Sequence, residues 1–288
     1  MPLPRARRIF RGLVFWLSLA LFLFHLLPCR FSASSVREAP SAPSGLSGYC
    51  GGVPDPWLTA EEELDLRCLL AVYPSIRHSA VERGGAVLLI MEDGRRVPYR
   101  SVPPDPGDVK ESMRQPYPPE PLRPATPEGV APGRQRSPAL LEALYGSSRR
   151  EVQARLVSVP MPRGSVAVHQ EAAGAFGRVA ARLREALRRD PSLRPWLKPD
   201  GGFAWRRIAG ETRRSAHAYG IAVDLSAGRA PYWRWGGPRP HPLQWSYPAA
   251  IVRAFEAEGF IWGGKWHEYD IMHFEYRPEL LCKARSRQ

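Results

Sequence analysis

The sequence predicts an α+β domain in its second half, in which helices pack on one side of a small antiparallel sheet. Apolar and polar side chains alternate along 221–226, which is the period of a half-buried strand, and 260–262 and 272–276 also read as short strands. Residues 171–189 and 248–258 instead repeat apolar side chains at helical spacing. We expect a cleft to run across this sheet.

The N-terminus has the pattern of an export segment. Residues 1–12 are basic, and 13–27 are apolar except for Ser18 and His25. A run of this length suits a signal-peptide core better than a membrane span, which needs about 20 residues. Positive charge before the run predicts that the remaining chain is exported. We therefore predict that residues 1–31 are a signal peptide or an N-terminal membrane anchor.

Two segments of different character follow. Residues 32–48 are rich in Ser, Pro, Ala and Gly, which is typical of a flexible tether. Residues 49–100 predict a small α/β accessory segment, because Thr59 can cap a helix and 86–91 and 97–99 read as a hairpin. We identify no candidate catalytic or metal-binding residues in this segment.

The central part of the chain is dominated by proline. Residues 101–138 predict an irregular or polyproline-like linker, which either wraps the following domain or only connects to it. The main domain is expected to occupy residues 139–288, with its core at 155–282.

Charge and cysteine content narrow the possible functions. The net charge of +13 reflects either a general preference for arginine or attraction to an anionic cell wall or membrane surface. The arginines are scattered without interleaved aromatic residues, which argues against nucleic-acid binding. Cys50 and Cys68 could pair in an oxidising compartment, whereas Cys282 has no obvious partner. No cysteine has zinc-finger spacing.

Two stretches near the C-terminus carry the candidate chemistry, and the first is Ser-Ala-His-Ala-Tyr-Gly-Ile-Ala-Val-Asp at 215–224. On a straight strand, His217 and Asp224 would lie about 23 Å apart. They can share an ion only if the chain reverses between them, and Gly220 permits a reversal because it tolerates positive φ. We expect His217 on an extended arm before the bend and Asp224 on the returning strand.

The second stretch, 270–276, adds His273 and Asp270. His217, Asp224 and His273 supply the three protein ligands of a catalytic zinc site, which keeps a fourth position open. Asp270 lies three residues before His273, so the two face one cleft only if a turn or bulge interrupts the strand. Asp270 is then the predicted general base.

These motifs resemble a known family. The pattern Ser-x-His-x-x-Gly-x-Ala-x-Asp, followed by a carboxylate-x-x-His, resembles the zinc D,D-carboxypeptidases of the VanY type. Residues 205–210 and 259–266 are similar to the branch that includes L-alanyl-D-glutamate endopeptidases, and the resemblance is dense over about 155–282. Asp270 is usual in this branch, whereas many other members carry Glu. Glu211 departs from the usual Thr.

The resemblance implies a hedgehog/D,D-peptidase-like fold with its Zn2+ cleft across the sheet. It also implies that Arg213 holds a substrate carboxylate or the oxyanion, with the adjacent Arg214 as the rival. Ser215 and Trp266 are candidate substrate contacts. Alternatively, Ser215 only hydrogen-bonds the turn and Trp266 belongs to the core.

The sequence therefore predicts an exported zinc metallopeptidase, in the bacterial periplasm or on the outer face of the cytoplasmic membrane. The expected substrates are peptidoglycan stem peptides, and the expected activity is that of a D-alanyl-D-alanine carboxypeptidase. One alternative is an L-alanyl-D-glutamate endopeptidase. Another, from a different class, is a catalytically idle cell-wall-binding module. A membrane tether through the N-terminal apolar segment and the oligomeric state are left open.

Overall fold

The computed structural model describes residues 47–48, 56–118, 126–208, 210–235 and 237–287. These described residues cluster into one unit. The predicted export segment, nearly all of the tether and Cys50 lie outside the described residues. Within the described part of the chain, every helix is too short or too polar to span a bilayer.

The described strands form two four-stranded sheets and one hairpin, all antiparallel. The strands are β1 (Ser47–Gly48), β2 (Ile76–Val81), β3 (Val87–Met91), β4 (Arg96–Arg100), β5 (Leu156–Pro160), β6 (Ser165–His169), β7 (Pro199–Gly201), β8 (Ala222–Leu225), β9 (Phe260–Trp262) and β10 (His273–Tyr276). The α-helices are α1 (Ala60–Val72), α2 (Val109–Ser112), α3 (Pro138–Tyr145), α4 (Arg149–Gln153), α5 (Gln170–Arg189), α6 (Leu243–Ser246), α7 (Ala249–Glu256) and α8 (Pro278–Ser286).

The N-terminal sheet has the strand order β1-β2-β3-β4 and packs beside α1. Helix α1 begins where the sequence predicts, because Thr59 and Glu62 form a capping box. The Thr59 hydroxyl accepts from the Glu62 amide at 3.2 Å, and the Glu62 carboxylate accepts from the Thr59 amide at 2.9 Å. The predicted hairpin is confirmed as β3 and β4.

The proline-rich segment wraps the C-terminal half of the protein. The Tyr117 hydroxyl accepts a hydrogen bond from the Trp262 amide at 3.0 Å, and the Trp266 indole donates to the Pro132 carbonyl at 2.5 Å. The Thr126 hydroxyl donates to the Lys265 carbonyl at 3.1 Å. Of the two roles considered for this segment, wrapping is therefore the one observed for 101–118 and 126–138.

The cysteine pairing differs from the sequence-based expectation. Cys68 on α1 forms a disulfide with Cys282 on α8, and their Cα atoms are 5.6 Å apart. Pairing of Cys68 with Cys50 is therefore wrong. Cys282 lacked an obvious partner in the sequence because 214 residues separate it from Cys68, and only the packing of α1 against α8 brings the two together.

The second four-stranded sheet has the order β7-β8-β10-β9 and organises the C-terminal half. Helices cover one face of this sheet and are held there by aromatic packing. Phe274 on β10 stacks on Phe255 of α7 at 4.1 Å, and Phe260 on β9 packs edge-on against Phe176 of α5 at 4.5 Å. The predicted α+β class with a small antiparallel sheet is confirmed, and the opposite face of β8 and β10 is left for polar side chains.

Candidate metal centre

His217 lies on a short 3-10 turn, Ala216–Tyr219, rather than on the extended arm that the sequence suggested. The Ser215 hydroxyl caps this turn by accepting from the His217 amide at 3.4 Å. The turn ends at Gly220, whose φ of 68° is left-handed. A Cβ at this position would lie 2.8 Å from the His169 amide nitrogen, so the reversal requires glycine for space as well as for φ.

The other two candidate ligands lie opposite each other on neighbouring strands. Asp224 on β8 is the direct cross-strand partner of His273 on β10. Because side chains alternate along a strand, His273 and Glu275 point away from the helix-covered face on which Phe274 packs. The register of two short strands therefore brings an imidazole and a carboxylate together beside the turn that holds His217.

The donor atoms of His217, Asp224 and His273 form a nearly equilateral triangle. The His217 Nε2 atom lies 3.1 Å from Asp224 Oδ1 and 3.2 Å from His273 Nδ1, and the third edge is 3.1 Å. A tetrahedral zinc with ligands at about 2.0–2.1 Å separates neighbouring ligand atoms by about 3.3–3.4 Å. The edges of the triangle are about 0.1–0.3 Å shorter than this spacing, so the three donors need only a small outward shift to hold such an ion.

Hydrogen bonds on the far side of each imidazole orient it toward the triangle. The Nδ1 atom of His217 lies 2.7 Å from the Gly202 carbonyl, and the Nε2 atom of His273 lies 2.9 Å from the Glu275 carboxylate. Both partners can only accept, so these ring nitrogens carry the protons. The remaining nitrogens, His217 Nε2 and His273 Nδ1, face Asp224, and in neutral imidazoles they would offer their lone pairs to a metal, as in metal-ligating histidines generally.

Asp224 completes the triangle as a charged ligand. Burial opposes its ionisation, but the two imidazoles hold the pKa of its carboxyl below the usual range. A carboxylate that stays ionised beside two correctly oriented imidazoles is a donor set that suits zinc.

A buried chain of charged groups supports His273 from behind. Glu275 is fully buried and pairs with Arg136, and the Arg277 guanidinium lies 3.4 Å from its other oxygen. Burial opposes ionisation of Glu275, but Arg136, His273 and Arg277 hold the pKa of its carboxyl well below the usual range. Arg277 in turn binds Glu279 at 2.5 Å.

Asp270 reaches the same cleft through the predicted interruption of the strand. The His273 amide donates to the Asp270 carbonyl at 3.1 Å, which closes a turn between them. Gly263 makes room for this turn, because a Cβ there would lie 2.6 Å from the Asp270 carbonyl oxygen. Burial raises the pKa of the Asp270 carboxyl to about 6, so this group can both accept and release a proton near neutrality.

The cleft over the triangle has a volume of about 260 Å3 and is lined by predicted and unpredicted residues. Ser215, Trp266 and Asp270 are predicted residues that line it together with the three candidate ligands. Trp266 is almost completely buried, and its ring centroid lies 5.7 Å from that of His273, so it forms a wall of the cleft and part of the core at once.

Arg213 does not lie among the residues that line the cleft. Its guanidinium pairs with Glu211 at 2.6 Å and donates to the Gln135 side chain at 2.7 Å. Its rival Arg214 stacks over Trp205, 4.0 Å from the ring centroid. Glu211, which replaces the usual Thr, therefore pairs with Arg213, the arginine that the resemblance assigned to the substrate.

Sequence reasoning missed several residues that line the cleft, namely Arg134, Arg136, Arg206, Ile208, Tyr232, Trp235 and Met272. It also missed the role of Glu275, for which a signal existed, because residues two apart on a strand share a face. No such signal marked Arg136, which lies 139 residues from Glu275 in the chain. Arg206 was visible only as a flanking residue of the motif.

Two imidazoles and a carboxylate converge beside an open cleft, with a further carboxylate at its edge, and this arrangement is typical of metal-dependent hydrolases. A family model described as D-alanyl-D-alanine carboxypeptidase matches residues 209–276. This stretch includes all three candidate ligands and Asp270, and the match supports the resemblance to the VanY-type peptidase family. Comparisons with curated proteins and with solved structures gave no match.

Proposed function

We propose that the protein is a zinc-dependent peptidase that hydrolyses peptidoglycan stem peptides as a D-alanyl-D-alanine carboxypeptidase. The observation that carries this proposal is the triangle of His217 Nε2, Asp224 Oδ1 and His273 Nδ1, with edges of 3.1–3.2 Å. The family match supports a peptidase that acts on substrates of the D-alanyl-D-alanine type. The three ligands would hold zinc, which when bound supplies Lewis-acid chemistry and makes water more acidic.

The chain's own residues supply the proton transfers of the proposed reaction. The Asp270 carboxylate accepts a proton as the oxygen of water bonds to the scissile carbonyl carbon. It then returns that proton to the leaving amine as the carbon–nitrogen bond breaks. Because burial raises the pKa of Asp270 to about 6, its protonated form is more accessible than that of an exposed aspartate.

Arg206 is the guanidinium best placed to bind the substrate's terminal carboxylate or developing oxyanion. It lines the cleft, is exposed, and has no side-chain hydrogen bond within the described part of the protein. Arg213, by contrast, already pairs with Glu211 and Gln135. We therefore assign to Arg206 the role that the resemblance gave to Arg213.

The proposed location is outside the cytoplasmic membrane. The basic and apolar N-terminal residues support export, and the Cys68–Cys282 disulfide supports an oxidising compartment such as the periplasm. Peptidoglycan is the partner that this location offers to a peptidase of this family.

Mass analysis of stem peptides tests the proposal. A synthetic pentapeptide that ends in D-alanyl-D-alanine is incubated with the zinc-loaded protein and with protein stripped by a chelator. Loss of one D-alanine, only with the zinc-loaded protein, is the expected result. Cleavage between L-alanine and D-glutamate would instead identify the endopeptidase. Zinc binding without any product would indicate an idle cell-wall-binding module.

A further inference from the structure

Arg134 enters the cleft from a part of the chain that lies outside the stretch matched by the peptidase family. The preceding Gly133 has a φ of 85°, and a Cβ there would lie 2.1 Å from the Ile261 Cδ1 atom. This tight turn presses the proline-rich segment against β9. Arg134 follows the turn and lines the same cleft as the metal triangle and Asp270.

Two contacts hold the guanidinium of Arg134 in place without neutralising it. Its central carbon lies 4.8 Å from the ring centroid of Trp266, and its Nη2 atom donates to the Glu268 carbonyl at 2.5 Å. Within the described residues, no carboxylate forms an ion pair with Arg134. Arg136, two residues later, differs in this respect because Glu275 pairs with it.

With a divalent cation bound, the balance of charges in the cleft would favour an anionic ligand. Arg134 and Arg206 line it without a carboxylate partner in the described parts of the chain, against Asp224 and Asp270. A divalent cation on the triangle would add two positive charges. A low-dielectric cleft with an excess of positive charge concentrates anions, and a planar guanidinium binds carboxylates in particular.

We propose that Arg134 binds a second carboxylate of the substrate, beyond the terminal one, and so makes the cleft selective for acidic peptides. This inference rests on the proposed function, in which Arg206 binds the terminal carboxylate or the oxyanion. The second carboxylate belongs to an acidic residue upstream of the scissile bond. Arg134 is therefore a specificity-determining residue supplied by the proline-rich segment.

Two stem peptides that differ by one functional group test this subsite. Both end in D-alanyl-D-alanine, and the glutamate α-carboxylate is free in one and amidated in the other. We expect the zinc-loaded protein to favour the free acid at least tenfold in kcat/KM, as befits a charge-assisted hydrogen bond. Arg134→Met should abolish this preference, because it should lower kcat/KM for the free acid far more than for the amidated peptide.

Two further variants distinguish recognition of the substrate carboxylate by Arg134 from a purely structural role of this residue. Arg134→Lys should retain part of the preference, because it keeps the charge but not the fork geometry. Arg188→Met, which alters an exposed arginine on α5, should behave as the wild type. An equal loss for both peptides in Arg134→Met, or a wild type without preference, would overturn the subsite.

Calorimetric titration keeps the two proposals distinguishable. If neither peptide is cleaved, the proposed function fails, and binding of the two peptides to the zinc-loaded protein then decides the subsite. Tighter binding of the free acid, lost in Arg134→Met, would still support the role of Arg134. Equal affinities for the two peptides would reject it.

Discussion

The stretch that carries the candidate ligands and the segments that surround it contribute different parts of the site. Residues 209–276 supply all three donor atoms of the triangle and the carboxylate of Asp270. The proline-rich segment, outside this stretch, supplies Arg136 behind Glu275 and the carbonyl that binds the Trp266 indole. The motif therefore encodes the donors, whereas distant segments encode their support.

The largest expected effect lies inside the matched stretch. Asp270→Asn removes the proposed proton acceptor and should lower kcat by about 10²–10⁴-fold, because general bases contribute rate factors of that size. Zinc content, measured by atomic emission, and the melting temperature should stay unchanged, because Asp270 is not one of the three ligands. A variant that keeps its turnover would remove Asp270 from the mechanism.

His217→Ala provides the contrasting variant in the same stretch. It deletes one corner of the triangle, so bound zinc should be lost together with turnover. Full metallation of this variant would contradict the proposed ligand set.

The second prediction tests the support that comes from outside the stretch. Arg136→Met removes the closest guanidinium from the buried Glu275 and leaves it the His273 hydrogen bond and the longer contact to Arg277, so we expect a loss of about 3 kcal/mol in the free energy of unfolding. Zinc affinity should fall about 10–100-fold, because Glu275 orients His273. Urea unfolding and zinc competition with a chelating dye measure the two effects.

Arg188→Met is the matched control for this variant, since Arg188 is exposed on α5. It should change the free energy of unfolding by less than about 0.5 kcal/mol. If Arg136→Met lost stability but bound zinc as tightly as the wild type, the proline-rich segment would support the fold and not the ligand.

The features that could be predicted from the sequence follow the same division between local stretches and distant segments. Periodicity and capping located α1, β3 and β4, because each depends on residues close together in the chain. The reversal at Gly220 and the turn before His273 were predictable because simple geometry demanded them. The form of the arm that carries His217 was not, since a capped 3-10 turn and an extended arm both satisfy that demand.

Contacts between distant segments left no trace in the sequence. Arg136 reaches Glu275 across 139 residues, and Cys68 reaches Cys282 across 214. Arginine and cysteine patterns alone do not specify such pairs, because many partners are compatible with the composition. Arg213 shows the converse case, since the resemblance assigned it to the substrate, whereas in the structure Glu211 and Gln135 bind its guanidinium.

The third prediction concerns a variant without the disulfide that links the accessory segment to the C-terminal helix α8. Replacing Cys68 and Cys282 with serine should lower the free energy of unfolding by roughly 2–4 kcal/mol. At temperatures where the variant stays folded, kcat/KM should remain within twofold, because neither cysteine lines the cleft. Wild type treated with a reductant should reproduce this behaviour, and a large loss of turnover in the folded variant would contradict the division between donors and support.

The smallest expected effect concerns the most distant contact with the charged chain behind His273. The Tyr73 hydroxyl donates to Glu279 at 2.6 Å, and Glu279 binds Arg277. Tyr73→Phe should cost about 1.5 kcal/mol of unfolding free energy, since a buried hydrogen bond to a carboxylate is lost. Zinc affinity should not change, because the Arg136–Glu275 pair still holds His273.

Tyr247→Phe is the matched control, because the buried Tyr247 hydroxyl has no hydrogen-bond partner in the described parts of the chain. Removing that hydroxyl should leave stability unchanged or raise it. A weaker zinc affinity in Tyr73→Phe, but not in Tyr247→Phe, would show that orientation of His273 depends on the whole chain of charges. The accessory segment would then belong to the metal centre as much as the proline-rich segment does.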